Sequence, residues 1–119
     1  MQWSFTDERP IYAQLVEQLK LRIVTGLYPP GSRIAAVREL AAEAAVNPNT
    51  MQRALAALEE QGLVYSQRTA GRFVTDDAER IGQERRALAS GKIRRFLDEM
   101  AVLGFEKKEI LELLEEEGK

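Results

Sequence analysis

A chain of 119 residues that is 45% apolar and 30% charged has the size and balance of one globular domain with a short appendage, which excludes a disordered or fibrous protein. It contains no cysteine and no histidine, so disulfides, thiolate chemistry, Cys/His zinc centres and an imidazole base are excluded with them. The net charge of −2 is unevenly spread: residues 1–75 carry eight Lys/Arg against seven Asp/Glu, whereas residues 76–119 carry nine against twelve, leaving the acidity in the C-terminal part.

The N-terminal MQWSFTDERP lacks the basic-then-apolar layout of a signal peptide, and no apolar run of about 18 residues follows. The sequence therefore predicts a cytoplasmic protein with no membrane partner. Trp3 and Phe5 alternate with polar Gln2 and Ser4, as in a short strand or an ordered lead-in. Pro10 then opens a helix in which Ile11, Leu15, Leu19 and Ile23 recur every four residues, with Tyr12, Val16 and Leu27 widening the stripe. Gly26 ends it, and Tyr28-Pro29-Pro30-Gly31 cannot be helical. Ser32-Arg33-Ile34 is expected to be a brief strand.

Val37 to Gly62 reads as two helices separated by a tight break. Asn47 is a good N-cap, and Pro48 suits the first helical position because its missing N–H would be unpaired there. That start puts Asn49, Thr50, Gln52 and Arg53 in the first turn and a half, where the second helix of a helix-turn-helix carries its base-reading side chains. Ala54, Leu55 and Leu58 are left to face inward, and Gly62 supplies the left-handed stop. Leu63-Val64-Tyr65-Ser66 and Arg72-Phe73-Val74-Thr75 are β-prone runs joined by five residues, Gln67 to Gly71. A hairpin directly after a recognition helix is a wing, and Arg68, Thr69, Gly71 and Arg72 are its candidates for phosphate or minor-groove contact.

From Asp76 the composition shifts to charged helix formers, which sets a boundary at residues 75–78. Ile81, Leu88, Ile93, Phe96, Leu97, Met100 and Leu103 form an imperfect helical stripe with Gly82 and Ser90-Gly91 as points for a bend. Gly104 stops that helix, and Glu106 to Glu117 forms another with Ile110, Leu111, Leu113 and Leu114 apolar. Two such helices enclose too little surface to bury their stripes alone, so a second copy of the chain is the expected cover. Leu88, Phe96, Met100, Leu103, Phe105, Ile110 and Leu114 are the candidate dimerisation residues.

PIYAQLVEQLKLRIVTGLYPPGSRI followed by VRELAAEAAVNPNTMQRALAALEEQGLVYSQRTAGRFV resembles the winged-helix domain of GntR-type bacterial transcription regulators over roughly residues 10 to 75. The tail with LGFEKKEI resembles the YtrA subfamily, whose C-terminal part is a small dimerisation unit. The resemblance implies a homodimeric repressor on a palindromic operator in double-stranded DNA. It places the family's motif arginine on Arg38 and its contact positions on Asn47, Asn49, Thr50 and Gln52, with the wing glycine on Gly71. Chemically, Arg38 suits guanine O6/N7, and Asn49 or Gln52 suits adenine N6/N7. Arg33 and Arg53 are candidates for phosphate contact. The chain departs from the family's Leu-Pro-Ser at Ile34-Ala35-Ala36: Ala36 cannot cap the helix it precedes, at a cost of about 1 kcal/mol, although free backbone N–H groups there still suit a phosphate.

The expected fold is mainly α with a small β-hairpin wing, a winged helix-turn-helix in residues 1–75 followed by a two-helix dimerisation region in residues 76–119. An enzyme is not expected. The sequence neighbours Asp76-Asp77 and Glu59-Glu60 do not converge on one substrate, and no nucleophile, base and orienting group occur together. Neither a cofactor nor a metal site is read in the chain, the run Glu115-Glu116-Glu117 pointing to different sides of a helix. Two alternatives stay open: a ligand-responsive regulator with an effector pocket near Phe96, Met100, Leu103 and Phe105, and a winged-helix protein-interaction module. Tyr12, Tyr28, Tyr65 and Phe73 are assigned to the core.

Overall fold

The computed structural model describes residues 1–118, which form five helices and a three-stranded sheet. In chain order these are α1 (Ile11–Val24), β1 (Arg33–Ile34), α2 (Val37–Ala44), α3 (Pro48–Glu60), β2 (Val64–Gln67), β3 (Gly71–Val74), α4 (Ala78–Val102) and α5 (Lys107–Glu117). The chain divides into a compact unit Met1–Glu84 and a second one beginning at Arg85, inside α4.

In the first unit, Leu15, Leu19 and Ile23 of α1 are buried as their spacing predicts, but Ile11 and Leu27 at the two ends of the expected stripe lie 39% and 52% exposed. Two polar residues of α1, Gln14 and Arg22, are buried instead, because they carry the N-terminal arm. The arm is not a strand of the sheet. The Gln18 carboxamide accepts from the Ser4 N–H at 3.0 Å and donates to the Ser4 carbonyl at 2.6 Å, and Gln14 does the same for Thr6 at 2.8 Å on both sides. Helix residues four apart advance about 6 Å and extended residues two apart about 6.7 Å, so the glutamines meet alternate backbone units of the arm. At the next turn Arg22 donates to the Met1 carbonyl at 3.1 Å, and its guanidinium lies 3.5 Å from the centre of the Trp3 ring. Carbonyl oxygens and an aromatic face thus compensate a cation that is only 2% exposed. Tyr28 is half-buried near Arg22; burial pushes its hydroxyl pKa up, against the opposing effect of the arginine.

α2 begins after Ala36 with no side-chain cap, as the sequence predicts, and ends at Ala45 in the left-handed region (φ 57°, ψ 45°). That one residue turns the chain towards α3. The start of α3 is fixed by Asn47, whose Oδ1 accepts from the Asn49 N–H at 2.7 Å, and by Pro48 in the first turn. Leu40, Ala41 and Ala44 of α2 and Met51, Ala54, Leu55 and Leu58 of α3 pack with α1 into one core, closed by Ile34, Leu63, Val64 and Val74.

The sheet has the order β1-β3-β2 and is antiparallel throughout. Pairing continues to Gln67 and Gly71, so the wing loop has three residues, Arg68 to Ala70, rather than the five expected. Tyr65 and Phe73 stack across the strands with ring centres 5.7 Å apart, and Tyr65 is exposed rather than part of the core.

The first turns of α4 belong to this unit, beyond the boundary expected at residues 75–78. Ile81 is buried, Glu84 pairs with Lys20 of α1 at 3.3 Å and with Arg80 at 2.9 Å, and Arg80 donates to the Gln61 carbonyl just past α3 at 2.9 Å. In the second unit, α4 continues as helix through Ser90 and Gly91, where a bend was expected to be permitted. Gly104, with φ of 91°, breaks the chain between α4 and α5. α5 opens with a capping box in which Glu106 and Glu109 serve each other's backbone N–H groups. Ile110 is its one buried apolar residue.

Candidate nucleic-acid interface

α3 is two-sided. Met51, Ala54, Leu55 and Leu58 are at most 1% exposed, whereas Asn49, Gln52 and Arg53 stand in solvent and Thr50 is half-buried at the edge. The exposed start carries hydrogen-bonding groups and no large apolar patch, which suits base edges and not an apolar protein partner. Asn47 is exposed too, but its oxygen caps the helix, which leaves its NH₂ as the group free for another contact. The Arg53 guanidinium lies over the Tyr12 ring of α1, its Cζ 4.5 Å from the ring centre, a cation–π contact that orients this exposed side chain. Arg38, in the first turn of α2, is exposed and makes no hydrogen bond or ion pair among the described residues.

The wing arginines have different surroundings. Arg68 and Thr69 sit exposed at the tip, Thr69 with φ of 67° and its hydroxyl donating to the Arg68 carbonyl. Arg33 reaches across from β1 and donates from Nε to the Ala70 carbonyl at 3.0 Å, holding the tip from behind. Gly71 suits this position through its φ of 108°, which L side chains rarely adopt; a Cβ there would also come within 3.1 Å of Arg33 Nε, which would have to give way slightly. Arg72, a candidate for phosphate or minor-groove contact, is turned towards α3. Its Nε pairs with Glu59 Oε1 at 2.6 Å and its Nη1 donates to Gln52 Oε1 at 3.2 Å, tying the wing to α3.

Glu59, which sequence reasoning weighed only as half of the Glu59-Glu60 pair and gave no structural part, is the anchor of that contact. It also accepts from the Ser66 hydroxyl; this hydrogen bond first, and Arg72 second, hold its carboxyl below the ordinary glutamate range. Its signal in the sequence was only that it follows Gln52 by two helical turns. Between the wing and the start of α2 lies a cavity of about 210 Å³ lined by Arg33, Ile34, Ala35, Ala36, Val37, Gly71 and Arg72, beside the helix end that Ala36 leaves uncapped.

The second unit contains the predicted dimerisation residues in three states. Phe96, Leu103 and Leu114 are 37%, 70% and 51% exposed; Leu88, Met100 and Phe105 are half-buried. Ile110 is only 4% exposed and so serves the packing of its own chain, a correction to its expected place on an open face. Ile93 and Leu111, members of the expected apolar stripes though not among the named dimerisation residues, add to the exposed apolar surface, as does Val102, which the sequence reading did not include. Ile93, Phe96, Leu97, Lys107, Ile110, Leu111 and Leu114 line a cavity of about 320 Å³ between α4 and α5. Among the described residues no acidic cluster could hold a metal ion, and no helix is long and apolar enough to cross a membrane.

The family model described as bacterial regulatory proteins, gntR family, matches residues 11–74, which include the helix-turn-helix and wing. YhcF of Bacillus subtilis, an uncharacterized HTH-type transcriptional regulator, is 35% identical over 92% of this chain and 90% of its own. YtrA of the same organism, an HTH-type transcriptional repressor, is 36% identical over 58% of this chain and 53% of its own. A GntR family transcriptional regulator from Listeria monocytogenes superposes with a TM-score of 0.86 at 40% identity, covering 94% of this chain and 98% of that one. The DNA-binding domain of AraR, solved in complex with operator ORE1, matches at a TM-score of 0.54 and 32% identity over 63% of this chain and 94% of that one.

Proposed function

Given that the chain belongs to the gntR family of bacterial regulatory proteins, whose members it resembles are transcription regulators and not enzymes, we propose that it is a cytoplasmic repressor that binds a palindromic operator as a homodimer. The observation that carries this reading is the two-sided α3, with its polar start exposed and its apolar side fully buried. In the reading, α3 lies in the major groove with Asn49, Thr50, Gln52 and Arg53 towards base edges, Asn47 and Arg38 beside them, and the wing tip at Arg68 and Thr69 against the backbone or minor groove. Arg33, Gly71 and Arg72 shape the wing. The operator complex of the AraR domain and the repressor description of YtrA support a DNA-binding repressor.

The second unit supplies the pairing surface. Phe96, Leu103 and Leu114, with Ile93, Val102 and Leu111, form an exposed apolar face that a second copy would cover, and a two-fold dimer presents two α3 helices to two half-sites. The cavity between α4 and α5 is apolar except for Lys107, and so lacks the convergent polar groups that orient a small effector. Selection of bound fragments from random duplexes at fixed salt tests the function: an inverted repeat is expected, and enrichment of no sequence overturns it. Arg38→Ala is expected to weaken binding to the selected duplex far more than to random DNA; equal loss on both would make Arg38 a phosphate contact.

A further inference from the structure

The root of α4 is tied to the first unit by polar contacts that meet on one carboxylate. Asp77 Oδ1 accepts from the Arg80 N–H at 3.1 Å and starts the helix, and Ile81 seats it in the core. Arg80 then donates from Nε to the carbonyl of Gln61, the C-cap of α3, at 2.9 Å, placing a cation where that helix ends in unpaired carbonyls. Glu84, only 7% exposed, pairs with Arg80 at 2.9 Å and with Lys20 of α1 at 3.3 Å. One carboxylate therefore joins α1, the end of α3 and α4, and it belongs to the last residue of the first unit. Apolar contact is non-directional, so Ile81 alone would leave the helix free to pivot. A charge-assisted pair one turn further on fixes the direction. From Glu84, α4 continues to Val102, about 27 Å at 1.5 Å per residue. Over that length a tilt of about 10° at the root displaces the far end by about 5 Å, more than the rise of one base pair, about 3.4 Å.

Resting on the homodimeric DNA-binding reading above, we propose that Glu84 is a specificity-determining positioning residue: through Lys20 and Arg80 it fixes the direction in which α4 leaves α1 and α3, and so sets the separation of half-sites that two paired copies accept. It touches no base. The sequence read within each half-site is left to α3 and the wing, and spacing alone is what this ion-pair node selects.

The test measures affinity for the selected inverted repeat as its spacer is lengthened and shortened one base pair at a time, with a duplex carrying a single half-site alongside. Wild type, Glu84→Gln, Lys20→Met and Lys20→Arg are compared, with thermal unfolding as the control for folding and sedimentation equilibrium for pairing. The wild type is expected to prefer one spacer over its neighbours by about tenfold, comparable to the effect of one mismatched base pair. Glu84→Gln and Lys20→Met are expected to reduce that ratio by about threefold, the scale of one partly exposed ion pair, without changing affinity for the single half-site. Lys20→Arg, which keeps the cation, is expected to retain the wild-type profile. A wild-type profile in folded, dimeric Glu84→Gln overturns the assignment while leaving DNA binding intact. So does equal weakening at every spacer, the signature of a merely structural contact, and so does a variant that sediments as a single chain, since Glu84 would then serve pairing itself. If Glu84→Gln does not fold, an unchanged profile in Lys20→Met is sufficient to overturn it. A wild type indifferent to spacing also overturns it. Enrichment of lone half-sites by the wild type overturns the homodimer reading, and enrichment of no sequence overturns DNA binding itself.

Discussion

The two units of this chain handle apolar surface in opposite ways. In Met1–Glu84, side chains from three helices and a small sheet converge until Leu15, Met51, Ala54, Leu58, Leu63 and Val74 have no exposure at all. From Arg85 onward, Ile110 is the one buried apolar residue among those described, while Ile93, Phe96, Val102, Leu103, Leu111 and Leu114 remain open. The difference follows from geometry. Elements from distant parts of a chain can enclose a core, whereas two helices present stripes with nothing on the far side. The first unit owes its stability to itself, and the second holds surface suited to another molecule.

Substitution at the closed end gives the sharpest contrast. Leu58→Ala is expected to cost about 2–5 kcal/mol in denaturant unfolding and to abolish operator binding through loss of the fold. A cost below about 1 kcal/mol would mean that the core of the first unit is far looser than its burial implies. At the open end, Leu103→Glu combined with Leu114→Glu is expected to leave helix content by circular dichroism unchanged but convert the protein to a single chain in sedimentation equilibrium. Operator affinity should fall with it. A dimer that survives both charges would place the pairing surface elsewhere.

Smaller effects refine the picture within the first unit. Asn47→Ala removes the α3 cap and is expected to destabilise by about 1 kcal/mol. Ala45→Gly should change stability in the opposite direction by less than about 1 kcal/mol, since glycine enters the left-handed region without the Cβ penalty. The smallest effect is that of Glu59. Its carboxyl is held below the ordinary range in the folded protein, so its contribution is fully present above the unfolded value and is lost as pH falls through the depressed one. Wild type should therefore lose stability more steeply than Glu59→Gln on acidification below the normal carboxylate range; parallel slopes would show that the Ser66 and Arg72 contacts do not matter energetically.

Local rules were enough to read several elements. The Asn-Pro start of α3, the glycines after α1 and α3, and the two β-prone runs each act over a few residues, and each is where its chemistry puts it. What local rules leave out depends on residues far apart in the chain. The inward turn of Arg72 follows from the register that brings β3 beside α3, which no local pattern encodes. The wing loop came out shorter because Gln67 and Gly71 complete one more antiparallel pair than β-propensity alone suggests. The arm was half legible: Gln14, Gln18 and Arg22 recur every four residues on α1 while Ser4 and Thr6 alternate in the arm, and only together do the two periods specify a contact. Ile110 was placed on the open face because its spacing matches that of its exposed neighbours; spacing does not say which side of a stripe meets its own chain.

The indole stacked on Arg22 is the protein's sole tryptophan. Its fluorescence is therefore a built-in, label-free gauge of whether the leading segment is seated on the first helix, and can be followed in real time while DNA is added.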